Sequence, residues 1–178
     1  MPWRRGGPRA VVEPAPRALR RHVASLPPGP ETVRRAREAL TGQLPAIGVA
    51  PRSAFADAVV LATSELVANA LRHAPHTPVI DVGLTVAAGQ LVVGVADAEP
   101  RLPDLSEEGM GAGLRLVTEL AADHGGAVGA EPAVDHDGKI VLVRFGLPAE
   151  SRTSPGGHGT SPGSYEPTPR GYGTNPRG

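Results

Sequence analysis

Glu65 and Asn69 stand one helical turn apart in TSELVANALRHA, Thr63 to Ala74, a carboxylate and a carboxamide on a stretch dominated by Val, Ala and Leu. A carboxylate can take a proton from a hydroxyl or a water, and an amide oxygen is a ligand for a hard cation. At about 100° per residue along a helix, Val59, Val60, Leu66, Val67, Ala70 and Leu71 share one apolar arc, while Glu65 and Asn69 lie together on the other side. By itself such a pair is most often a solvated helix face, because residues four apart are neighbours on any amphipathic helix.

Two other segments carry chemistry. LVVGVADAEPRLP ends an apolar run on Asp97, and an acid at a strand end can stay ionised at a cavity mouth and accept a hydrogen bond from a ligand amine. An aspartate that merely opens a loop has the same signature. Further on, EEGMGAGLRLVTELAADHGG sets Gly109, Gly111 and Gly113 directly before an amphipathic helix carrying Leu114, Val117, Leu120 and Ala121. A glycine-rich loop feeding a helix N-terminus offers unpaired backbone N–H groups and the positive end of the helix dipole to an anion such as phosphate. A plain surface loop is the competing reading. The loop lacks the Lys-Ser/Thr ending of a P-loop and the later acid of a dinucleotide fingerprint.

These segments need a scaffold, and the hydrophobic periodicity supplies one. Ala18 to Leu26 reads as an edge strand closed by the turn Pro27 to Pro30; ETVRRAREALTGQL follows at helical spacing, with Arg34, Arg35 and Arg37 giving that helix a basic surface. Ser53 caps a second helix that runs to about His73 and is stopped by Pro75. Strands are expected at Val79 to Val86 and Leu91 to Ala96, joined by an AAGQ turn, and, after the loop and third helix, at Ala127 to Glu131 and Lys139 to Phe145 around DHDG. Hairpins rather than β-α-β alternation point to an α+β two-layer sandwich with a mainly antiparallel sheet.

Composition bounds the rest. The 178 residues carry 18 basic and 18 acidic side chains, which gives no global argument for nucleic acid or an anionic membrane. With no cysteine, thiolate metal sites, disulfides and cysteine nucleophiles are excluded. The His73/His76 and Asp135-His136-Asp137 groupings fit a helix end and a hairpin turn better than a metal site. Residues 1–19 are rich in arginine and proline, lack an apolar signal region, and read as a flexible arm; 148–178, with 13 Gly or Pro in 31 residues, read as a disordered tail, leaving 20–147 as one domain. A cytoplasmic location is the default expectation.

Glu65-Leu66-Val67-Ala68-Asn69-Ala70-Leu71-Arg72-His73, then Asp97 with Pro100, then Gly109-Met110-Gly111-Ala112-Gly113-Leu114, and last Gly138-Lys139-Ile140-Val141 resemble, in order and spacing, the boxes of the GHKL ATPase superfamily. Within it the chain is most similar to the small anti-sigma factor serine/threonine kinases and ATP-binding regulators of actinobacteria. The resemblance implies a Bergerat-type sandwich, with a mainly antiparallel mixed sheet and its helices on one face, binding ATP and magnesium. By the same resemblance Glu65 is the catalytic base, and Asn69 holds the magnesium that bridges the phosphates. Asp97 accepts from the adenine amino group, and Gly109, Gly111 and Gly113 form the lid. His73, Pro100, Leu114 and Lys139 complete the nucleotide-binding set. Implied partners are a small anti-sigma antagonist, a sigma factor or both, and a second copy of the chain, with no membrane or direct nucleic acid contact. A non-catalytic, partner-binding regulator of the same fold is the alternative, acting through the arginines of the first helix. The pattern departs at Asp97-Ala98-Glu99-Pro100, where Glu99 adds negative charge near the expected nucleotide, and at His124 and Leu142, where tryptophan is common.

Overall fold

The computed structural model describes residues 20–134 and 137–149. The elements run β1 (Arg20–Leu26), α1 (Thr32–Gln43), a short 3-10 turn (Leu44–Ile47), α2 (Ala54–His73), β2 (Ile80–Ala87), β3 (Gln90–Asp97), α3 (Ala112–Asp123), β4 (Ala127–Pro132) and β5 (Lys139–Gly146). The element order and the α+β class agree with the periodicity; the 3-10 turn had no distinct signal. Residues 1–19 and almost all of 148–178 lie outside the described residues, as does part of the DHDG turn.

Local chemistry sets the boundaries. Ser53 caps α2, its hydroxyl accepting from the Ala56 N–H, a contact worth about 1 kcal/mol. Ala88 and Gly89 both adopt positive φ, 49° and 77°, the backbone of a two-residue hairpin turn joining β2 to β3.

The sheet order is β1-β2-β3-β5-β4, and all four pairings are antiparallel. From the end of β3 the chain crosses through α3 to the sheet edge at β4, then returns as β5 between β4 and β3. That crossover puts the start of β5 beside the end of β3, with Lys139 opposite Asp97.

The helices cover one face. Alternate residues of the central strands, Ile80, Val82, Leu84, Leu91, Val93, Val95, Val141, Val143 and Phe145, are buried against α2 and α3. Full burial of each larger side chain contributes about 1.5–3 kcal/mol. α2 is long and apolar enough by composition to cross a membrane, but Val59, Ala62, Leu66, Val67 and Ala70 are buried in this core.

Candidate functional site

The turn of α2 that closes on the core also leaves its polar side at the rim of a cleft. Glu65 and Asn69 are half-buried, and the start of α3 lies against them. A Cβ placed on Gly113 would come within 2.8 Å of Glu65 Oε2 and 3.7 Å of Asn69 Oδ1. Glycine at 113 is therefore what lets the helix terminus approach the carboxylate. Gly111 is the N-cap of α3 and provides no side-chain cap, so the N–H groups of the first helical turn remain available toward the cleft. N–H groups in that position, with the helix dipole behind them, can hold an anion.

The cleft has a volume of about 350 Å³, within the usual range for small-molecule sites of roughly 300–1,000 Å³. Its polar lining includes Asn69, Arg72, His73, Asp97 and Asp104; its apolar lining includes Leu66, Val95 and Val141. Of the residues expected from sequence, Asn69, His73, Asp97, Gly109, Gly111, Gly113 and Leu114 meet there. Glu65 sits behind Gly113. Pro100 is exposed and is not part of the lining.

Lys139 is not part of the lining either. It is buried beneath Asp97, its Nζ donating to Asp97 Oδ1 at 2.8 Å and to the Glu99 carbonyl at 3.1 Å. The Glu99 N–H donates to the same Oδ1 at 2.9 Å. Among the described residues Asp97 Oδ2 accepts no hydrogen bond, and it is not sealed off, so it is the oxygen turned to the cleft. Gly138 tightens the same corner: a Cβ there would lie 2.2 Å from the Asp97 carbonyl oxygen. Thr77, which had no signal in sequence, accepts from the Ala98 N–H and donates to the Val79 carbonyl, pinning the loop after β3.

Glu99 adds no charge to the cleft lining. Its side chain turns back to accept from the Arg101 N–H at 3.1 Å.

Arg72 and Asp104 are cleft residues that sequence reasoning missed. Arg72 Nη1 donates to Asn69 Oδ1 at 2.9 Å; the i,i+3 spacing was visible, but both partners' side-chain directions were not. Asp104 packs over Gly109, where any Cβ would collide with its carboxylate, and its Oδ1 accepts from the Ser106 N–H. That backbone hydrogen bond, with the Ser106 hydroxyl second, lowers the Asp104 pKa. Arg115 braces the loop from α3, donating to the Glu107 and Met110 carbonyls.

The basic surface expected of α1 is reduced. Arg34 pairs with both Glu31 and Glu38, and these bonds raise its pKa further, so its charge is largely answered within the helix.

Residues 26–144 match the family model for the histidine kinase-like ATPase domain. The chain belongs to that family. Histidine kinase-like ATPase domains bind ATP, generally with magnesium. The donor set fits: a free carboxylate oxygen at one end of the cleft, an amide oxygen and uncapped N–H groups at the other.

No curated protein matches the sequence. Similar solved structures include the histidine kinase domain from the Erythrobacter litoralis EL346 blue-light activated kinase, at 20% identity and TM-score 0.45, covering 67% of this chain and 63% of that one. The longer Erythrobacter protein is spanned over 47% of its length, at 22% identity and TM-score 0.47. The catalytic domain of histidine kinase ThkA is 15% identical, with TM-score 0.47, 74% of this chain and 99% of that chain covered. At these scores the family assignment rests on the family model.

Proposed function

We propose that this histidine kinase-like ATPase domain is a regulatory serine/threonine kinase of the anti-sigma factor type, passing the ATP γ-phosphate to a hydroxyl on a small antagonist protein. One observation carries the reading: the Glu65 carboxylate and the Asn69 amide oxygen converge on Gly113 at the N-terminus of α3, beside the cleft that Asn69 and Asp97 line. Asp97 Oδ2 would accept from the adenine amino group. The loop glycines and the first N–H groups of α3 would hold the phosphates, with His73 and Leu114 beside them. Asn69 would hold the magnesium, which neutralises phosphate charge when bound. Glu65 would take the proton of the attacking hydroxyl. Lys139 serves the site indirectly, by orienting Asp97.

The alternative, a non-catalytic regulator docking its partner through the α1 arginines, loses support from the internal pairing of Arg34. A sigma factor as the final target, and cytoplasmic action, belong to the same proposal.

Calorimetric titration of Mg-ATP into the wild-type protein and the Asp97→Asn and Asn69→Ala variants tests the site. Saturable binding lost in both variants supports it; a folded wild-type protein that binds nothing overturns it. Glu65→Ala then isolates the chemistry: nucleotide affinity should persist while phosphoryl transfer to an acceptor protein stops. Equal transfer by that variant would remove Glu65 from its role.

A further inference from the structure

The free edge of β1 lacks most of what protects an edge strand. An exposed edge presents a row of unpaired N–H and C=O groups, and it is blunted by a bulge, a proline or a very short strand. β1 has none of these: its seven residues pair with β2 in unbroken register from Arg20 to Leu26, and among the described residues no strand pairs with its other side. The opposite edge differs. β4 has six residues, carries Gly129 and ends on Pro132, residue types that weaken a strand or close its ladder.

Register sorts the β1 side chains between two faces. His22 and Ala24 lie on the helix side, opposite Leu84 and Val82. There the short side chains of Ala24 and of Ala39 on α1 leave a hollow of about 140 Å³, with the buried Leu40, Val82 and Leu84 behind it and Gln43 at its margin. That is below the roughly 300–1,000 Å³ of small-molecule sites and suits a single aliphatic side chain. Arg21 and Val23 lie on the other face, an apolar outer face that β3 and β5 continue with Val92, Gly94, Ala96, Ile140 and Leu142. Val23 is 54% exposed, and Arg21 forms no ion pair among the described residues. Ser25 is already engaged, its hydroxyl donating to the Asp81 carboxylate.

We infer that the free edge of β1 binds an extended segment of a partner protein, which joins the sheet as a further strand antiparallel to β1. Strand addition uses the unpaired backbone groups for affinity and the pockets beside the edge for selectivity. All four pairings of this sheet are antiparallel, and that ladder is slightly the more stable per residue. Residues directly opposite each other share a face, so the hollow, Val23 and Arg21 specify the segment. The residue opposite Ala24 is aliphatic and fills the hollow; the next, opposite Val23, is apolar; one residue opposite His22 follows, and the residue opposite Arg21 is acidic. From its N-terminus the segment therefore reads aliphatic, apolar, any, acidic. β1 lies two strands from β3, which bears Asp97 at its end, so segment and cleft ligand can bind together, and the inference stands whether or not the kinase reading does.

Fluorescence anisotropy of a labelled peptide, acetyl-Thr-Leu-Val-Thr-Glu-Thr-amide, titrated with the full chain tests it. Saturable binding is expected, and much weaker binding of the peptide with Leu and Glu exchanged. Ala39→Leu, which fills the hollow from α1, should weaken binding by roughly tenfold or more at an undiminished melting temperature. Arg21→Glu should also weaken it, and a peptide with Lys in place of Glu should bind that variant better than the original peptide does. N-methylation of one alternate set of peptide amides should abolish binding and of the other set leave it, because only alternate N–H groups of an added strand face its neighbour. No binding, or equal binding of the exchanged peptide, overturns the inference. So does binding indifferent to Ala39→Leu or to which amides are methylated. Binding indifferent to Arg21→Glu overturns the acidic position. A peptide that binds only on dilution, as copies of the chain separate, would give the edge to a second copy and overturn the inference as well.

Discussion

The Asp97 end and the Glu65–Asn69 end of the cleft differ in how their side chains are held. Asp97 is fixed by strand register, by a buried ammonium, by a backbone N–H on the same oxygen, and by a glycine packed on its carbonyl. Glu65 and Asn69 stand on a helix face, with Arg72 as the only described hydrogen-bond partner of the Asn69 amide oxygen and a glycine loop in front. The first arrangement cannot move without breaking the sheet; the second changes by rotamer and by loop. A ligand's invariant part is best read by the rigid end, and the part undergoing reaction is best met by the adaptable one.

Breaking the rigid end should give the largest effect. Lys139→Met leaves Asp97 3% exposed with its charge unanswered. Loss of one member of a buried ion pair costs about 3–5 kcal/mol. Urea denaturation should show a drop of that size, and the double variant Lys139→Met with Asp97→Asn should recover part of it, since it removes both charges. A single variant as stable as wild type would mean that the ammonium is not what holds the corner. At the adaptable end, Asn69→Ala should cost far less stability.

The same contrast explains what sequence could reveal. The fold was legible because strands and helices announce themselves by period, and Ser53, Pro75 and the AAGQ turn marked their ends. Glu65, Asn69, Asp97 and the three glycines were legible as types at spacings that a ligand would need. Lys139 was misplaced: only the β3–β5 register, with its 42-residue separation, shows that it lies under Asp97 rather than in the cleft. Asp104 and Arg72 needed side-chain directions, and Thr77 needed the path of a loop 21 residues away. The apolar outer face was written in LVVGVA and KIVLV, runs without alternation, but only the one-sided placement of the helices gives that pattern its meaning.

An intermediate effect sharpens the adaptable end. Gly113→Ala and Gly111→Ala add the same methyl two residues apart at the start of α3, yet the first meets Glu65 Oε2 at 2.8 Å and the second meets nothing within 4 Å. Glu65 is long and half-buried, so it yields by rotating away; alanine in a helix meanwhile gains about 1 kcal/mol over glycine. Gly113→Ala should therefore melt no lower than wild type but lose phosphoryl transfer by on the order of tenfold or more, equivalent to ~1.4 kcal/mol of lost positioning. Gly111→Ala should keep its activity within a few-fold. Equal losses in both variants would make the loop's flexibility, rather than the position of Glu65, the controlling factor.

The smallest effect lies in the loop itself and is a matter of pH. The Ser106 N–H, and then its hydroxyl, hold the Asp104 pKa below the ordinary 3.8. A carboxyl depressed in the folded state adds stability above its unfolded pKa and loses it as pH falls through the lower folded value. Asp104 is exposed to solvent, so the consequence is local: the turn over Gly109 should hold at neutral pH and loosen only in acid. The Ser106 amide resonance should titrate with a midpoint below that of a free aspartate, and Asp104→Asn should abolish that titration. A midpoint at or above the free value would mean that the carboxylate does not anchor the loop, and Gly109 would then be needed for a reason other than room for Asp104.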